Sequence, residues 1–201
     1  MAPGYSAISS YSRVQILHLL LERPDRLLVE LVEATGLHEN TVREHLQRLI
    51  ESGYVVPRPE PRTTRGRPRM RYSAVSGADA PSSPVAQRKV RAAAERGDLM
   101  RRMMPWTDTP ALPEAAHHQL DALLEDLQEA GFEPVVDPAA LTVDLSPCEH
   151  TREHPEHRDA LCAVHVGLMR GVLTEAGGPL EVEGLLPTCD PAQCHVQLTL
   201  T

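Results

Sequence analysis

Residues 35–55 read TGLHENTVREHLQRLIESGYV, and the fold of the first third of the chain turns on how this stretch is parsed. Val42, Leu46, Leu49 and Ile50 recur at three- and four-residue steps, so they form one apolar stripe of a helix running from about His38 to Ser52. Gly53 follows, a residue that accepts the left-handed backbone of a helix C-cap without strain. With the stripe turned inward, the opposite face presents Glu39, Asn40, Thr41, Arg43, Glu44 and Arg48, with His38 ahead of it and His45 near its edge. Such a face suits base edges in a major groove. Arg43 matches guanine and Asn40 matches adenine, each pairing worth about 1–3 kcal/mol of discrimination. Thr35-Gly36-Leu37 is a tight turn, and Leu27 to Ala34 supplies the short helix that stands in front of a recognition helix.

Working outward, Ile8 to Leu21 is an amphipathic helix that Pro24 ends. Downstream, Tyr54-Val55-Val56 and Met70-Arg71-Tyr72-Ser73 read as two strands, and Pro57 to Arg69 between them, with four Pro and one Gly, reads as a loop. That loop and its flank hold Arg58, Arg62, Arg65, Arg67, Arg69 and Arg71 against the single acid Glu60. Placed just after a recognition helix, this is the pattern of a wing whose guanidinium groups reach phosphates or a narrow minor groove. The first part of the chain is therefore expected to be a winged helix-turn-helix that binds double-stranded DNA.

The rest divides by composition. Residues 77–84, GADAPSSP, are a polar linker. Val85 to Met104 is a basic helix, expected to be interrupted at Gly97, and Leu112 to Ala130 is a second helix with Leu120, Leu123, Leu124 and Leu127 on one face. Strand-like pieces at Phe132 to Val136 and Leu141 to Leu145, a helix from about Asp159 to Ala176, and strand-like pieces at 180–186 and 195–200 complete an α+β pattern. The expected organisation is a DNA-binding domain over 1–75, a linker and dimerisation helix over 76–104, and an α+β sensor domain over 105–201.

Charge supports this division. The chain carries -8 overall, yet residues 1–75 and 76–104 each carry +3 while residues 105–201 carry -14. The acidic part cannot rest on phosphates, so DNA contact belongs to the first half. No run of eighteen apolar residues occurs, and Met1 to Ser6 has neither a basic nor an apolar leader region, so a cytoplasmic protein with no membrane association is expected. All four cysteines, Cys148, Cys162, Cys189 and Cys194, lie in the last 54 residues. In a reducing compartment, clustered thiols read as metal ligands or redox sensors, with inert buried cysteine as the plain alternative.

Two stretches then show a likeness. TGLHENTVREHLQRLIESGYV followed by RGRPRMRYSA (65–74) resembles the ArsR-like regulators that include repressors of the Suf iron–sulphur assembly operon. AGFEPVVD (130–137), CEHTREHPEHRDALCAVHVGLMRGVL (148–173) and LLPTCDPAQCHVQL (185–198) resemble the sensor domain of that family. The resemblance implies a [4Fe-4S] or [2Fe-2S] cluster on Cys148, Cys162 and Cys194, and it implies control of operator affinity by that cluster. Cys189 departs from the family pattern and stands as a fourth ligand or a bystander. His165, one helical turn after Cys162, is the histidine expected to serve as ligand or supporting donor.

His150, His154, His157, His165 and His195 crowd the same region, so zinc held by mixed Cys and His is the alternative, as is a regulator with a small apolar ligand and no metal. An enzyme needs a nucleophile with a nearby base; Cys162 with His165 is the one candidate pair, and no phosphate-binding Gly loop or zinc-protease motif accompanies it. A zinc-stapled interaction module is the third class. The expectation is a homodimeric regulator, a repressor, on a palindromic operator whose half-sites lie about 10 bp apart or a multiple of that.

Overall fold

A computed structural model describes residues 8, 10–61, 68–75, 83–104, 112–148, 155–186 and 193–201. Helix α1 (Tyr11–Glu22) buries Arg13, Val14, Ile16, Leu17 and Leu20, residues that point to more than one side. It is covered on several sides, so its apolar residues are not confined to one stripe. Arg23 leaves the helix in an extended conformation ahead of Pro24. A two-residue strand β1 (Arg26–Leu27) then leads directly into α2 (Leu28–Thr35), and the Glu30 carboxylate accepts a hydrogen bond from the Leu27 amide at 2.6 Å. Gly36, at φ 68°, closes α2 by donating its amide to Val32 at 2.9 Å. Helix α3 (Glu39–Glu51) buries Val42, Leu46 and Leu49 as their spacing dictates, and Gly53 follows it at φ 87°.

Strands β2 (Val55–Pro59) and β3 (Met70–Ala74) pair antiparallel with Val55 opposite Ala74 and Pro59 opposite Met70. Strand β1 joins on the far side of β3, giving the order β1-β3-β2. The hairpin occupies the place of the expected wing. Its tip, with Arg62, Arg65 and Arg67, lies outside the described residues.

Helix α4 (Pro84–Met103) starts with Ser83 Oγ accepting from the Ala86 amide at 3.4 Å and with Pro84 in its first turn. It runs through Gly97 without a break, a correction to the expected interruption. Gly97 is where α4 meets Asp121 of α5 (Glu114–Glu129): a Cβ built on Gly97 would stand 2.0 Å from Asp121 Oδ2. The glycine is thus a close-approach residue rather than a helix breaker.

The second sheet contains β4 (Val135–Asp137), β5 (Thr142–Asp144), β6 (Leu180–Leu185) and β7 (His195–Leu200), all antiparallel in the order β4-β5-β7-β6. Helix α6 (Arg158–Ala176) precedes β6. Val143, Val182, Val196 and Leu198 pack against Leu120, Leu123 and Leu127 of α5 and Met169 and Leu173 of α6. Gln119, 1% exposed, bridges these layers: its Nε2 donates to the carbonyls of Leu173 (2.9 Å) and Leu180 (3.0 Å), and its Oε1 accepts from the Leu180 amide at 2.7 Å. A buried amide with both ends bonded fixes register at little net cost.

The apolar core of the amino-terminal part does not close on itself. Leu161, Val164 and Leu168 of α6, with Ala130, belong to the same buried cluster as Val14, Ile16 and Leu17 of α1 and Val42, Leu46 and Leu49 of α3. Each such side chain taken from water contributes about 1.5–3 kcal/mol, so α6 is part of the head's own core. Among the described residues no helix is long and apolar enough to cross a membrane.

Candidate nucleic-acid interface and thiol site

Helix α3 presents His38, Glu39, Asn40, Arg43, Glu44, Gln47 and Arg48 to solvent, with Thr41 and His45 half-buried. His38 caps its start, Nδ1 accepting from the Asn40 amide at 3.3 Å. Arg43 Nε donates to Glu39 Oε1 at 3.0 Å, and Arg43 Nη2 bonds the same oxygen. An exposed pair of this kind is worth a few tenths of a kcal/mol, so DNA can replace Glu39 as the partner of Arg43. The exposed amino terminus of α3 adds the positive end of its dipole to the same side.

Beside it lies a cleft of about 720 Å³ whose walls include Val29, Val32, Glu39, Arg43, Arg69 and Tyr72. Burial pushes the Tyr72 hydroxyl's pKa up and Arg43 opposes this, which places the two groups in one field. Arg69 and Arg58 are exposed on the hairpin. Arg71 is not available in the same way. Its Nη1 donates to the Asp25 carbonyl at 2.8 Å and its Nε to Glu60 at 3.1 Å, so it braces β1 against β3. Arg71 belongs to the wing's field by sequence, but Glu60, the single acid there, is its partner across the hairpin. Behind α3, His45 is held towards its neutral form by burial first, then by Arg13 and Arg48.

The thiols come from three elements. Cys148 follows β5 and is 2% exposed; Cys162 sits in the second turn of α6; Cys194 immediately precedes β7. Cys194 is anchored by its amide, which donates to Ser146 Oγ at 3.0 Å, and by its carbonyl, which accepts from Leu145 at 2.8 Å. All three line one small cavity of about 20 Å³, together with Arg158, Leu185, Leu186, Gln193 and His195.

Burial raises the pKa of Cys162, and the neighbouring Cys148 raises it further, while Arg158 acts the other way. Cys194 is pushed up to about 12, by burial first and then by Cys148 and Cys162. The three sulphurs therefore feel one another in a poorly hydrated pocket. Burial and mutual proximity favour the neutral thiols, so thiolates collected there would call for a cationic centre; among the described residues Arg158 is the guanidinium that lines the cavity.

His165 does not line this cavity. It is 5% exposed and meets Phe132 edge to face, with centroids 5.2 Å apart. The one-turn spacing from Cys162 is real, but α6 is buried on several sides, and that spacing alone does not select the side of the thiols. Cys189, His150 and His154 lie outside the described residues. His195, which the sequence reading left among the crowd, reaches the cavity and sets Nδ1 3.5 Å from Asp144 Oδ1 across the β5–β7 pair. Arg158, which no spacing rule singles out, is the other addition. Among the described residues, the trio of His, Cys, Asp or Glu ligand atoms within 4.8 Å of one another is Asp98, Glu114 and His118. Arg101 already bonds Asp98 there at 2.8 Å, which marks an ion-paired corner between α4 and α5.

No curated protein and no solved structure matches the chain. Residues 14–59 match the IclR helix-turn-helix domain, a span from the second turn of α1 to the end of β2. IclR is a helix-turn-helix family different from the ArsR-like one that the sequence resembles, and the two agree on the coarser point. The amino-terminal part is similar to the helix-turn-helix head of transcription regulators, and the chain reads as a DNA-binding regulator of transcription.

Proposed function

We propose that this protein is a homodimeric transcriptional repressor of the ArsR-like, Suf-repressor type, with operator affinity set by an iron–sulphur cluster on Cys148, Cys162 and Cys194. The observation that carries the reading is the convergence of these thiols on one cavity from a loop, a helix and a strand end. The donor set suits a cluster, whose ligands are mostly Cys thiolates.

When bound, a cluster supplies a redox centre sensitive to oxidants and to iron supply. The chain's own part is to hold three thiolates and to balance them with Arg158, with Leu185 and Leu186 in the cavity wall. The winged head over 1–75 binds the operator, 76–104 joins the protomers, and 105–201 senses, in a cytoplasmic protein acting by binding rather than by catalysis.

Anaerobic purification tests this. Iron and acid-labile sulphide with absorption at about 400 nm are expected in the unaltered protein. Each of Cys148→Ser, Cys162→Ser and Cys194→Ser should abolish them and change DNA affinity, and Cys189→Ser reports whether that residue is the fourth ligand. Stoichiometric zinc in a colourless protein would move the reading to a zinc-responsive regulator. Colourless, metal-free protein that still binds DNA would end both metal readings.

A further inference from the structure

Two routes lead from the thiol cavity to α3. One passes through α4 and the stretch 76–82, the route that a two-headed dimer with a linker helix suggests. The other is direct. Arg158 opens α6 and Cys162 lies in its second turn, and both line the cavity. His157, the residue ahead of α6, stacks on Tyr11 at the start of α1, with ring centroids 4.3 Å apart and planes at 20°. Leu161, adjacent to Cys162, is 1% exposed and shares a buried cluster with Val14, Leu17, Val42 and Leu46. Arg13, 4% exposed and two residues after Tyr11, lies in the field of Arg48, and His45 feels both.

We infer that the thiol site acts on the recognition helix within its own protomer, through the Tyr11–His157 stack and the α1–α6 seam; this rests on the reading of the thiols as a metal-binding sensor. A centre held by Cys148, Cys162 and Cys194 fixes the second turn of α6 relative to β5 and β7. Close-packed interiors yield little, so a displacement of that turn is handed to α1 rather than absorbed. Helix α1 is the support on which α3 packs. Tyr11 and His157 are therefore positioning residues at the α1–α6 seam, outside the set that lines the thiol cavity.

The test measures linkage in the full-length protein, using Co²⁺ under argon as the metal probe and a duplex selected by the protein from a random-sequence library. Metal and DNA must change each other's affinity by the same factor, expected at about 5- to 150-fold in the unaltered protein. Tyr11→Ala and His157→Ala should each keep the separate Co²⁺ and duplex affinities within about threefold, while the factor falls below about twofold. His157→Phe, which keeps a stacking ring, should restore it. Hydrogen exchange on the unaltered protein gives an independent readout: Co²⁺ should change protection in α1 and α3.

A coupling factor that survives in both alanine variants, or Co²⁺-induced changes in α4 with none in α1, overturns the inference and leaves the sensor reading standing. A factor of one in the unaltered protein removes the sensor reading itself, and the inference with it.

Discussion

Asp126 shows how one residue ties the parts of the molecule together at an energetic cost. The Tyr54 hydroxyl, directly after α3 and Gly53, donates to Asp126 Oδ1 of α5 at 3.1 Å. Burial lifts the Asp126 pKa from 3.8 to about 6, and Glu129 adds to this, while Lys89 and the Tyr54 bond pull it down. A carboxyl raised in the folded state is protonated in both states below about pH 4, so its contribution is then fully present. As pH rises from about 4 towards 6 the unfolded chain ionises while the folded one does not, and stability is lost until the folded carboxyl also ionises. Asp126→Asn should therefore match the unaltered protein near pH 3 and exceed it at pH 7.5 by on the order of 2–3 kcal/mol in urea denaturation. A difference independent of pH would show that the Asp126 carboxyl carries no such penalty. The exposed face of α3 was legible because the apolar stripe of Val42, Leu46 and Leu49 leaves the opposite face to solvent. Arg158 and Tyr11 were not, since their roles depend on which elements the chain later brings beside them.

At the scale of elements, α4 and α5 meet at Gly97, where Arg101 holds Asp121 with Nη1 at 3.1 Å from Oδ1 and Nη2 at 2.8 Å from Oδ2. An alanine normally improves a helix by about 1 kcal/mol over glycine. Here its Cβ would displace a carboxylate already fixed by two bonds, so Gly97→Ala should lower stability by about 1–3 kcal/mol on balance. A denaturation midpoint that rises instead would mean that the Asp121–Arg101 pair is readily rearranged. This glycine also marks a boundary of sequence reading. The helices were visible from their periods and caps, whereas a glycine that breaks a helix and one that admits a neighbour look identical until the neighbour is known. Strand β1 escaped for a related reason: its two residues are a strand only because Tyr72 and Arg71 stand opposite them.

For the whole molecule, charge divides the sequence into a basic first half and an acidic second half, but composition did not reveal that the two share a core through Leu161, Val164 and Leu168. That sharing needs long-range contacts, which no local pattern encodes. The central claim is that the head is the DNA-binding surface, and the most direct measurement is a fluorescence anisotropy titration of a labelled duplex with the full-length protein. It is run between about 50 and 200 mM salt, on the selected duplex and on random sequence. The account predicts affinity that falls steeply with salt. Arg69→Ala should weaken binding to both duplexes alike and reduce the salt slope by about one, whereas Arg43→Ala should mainly erase the preference for the selected duplex. Binding indifferent to salt, or full affinity and selectivity in a protein lacking both Arg43 and Arg69, would contradict it.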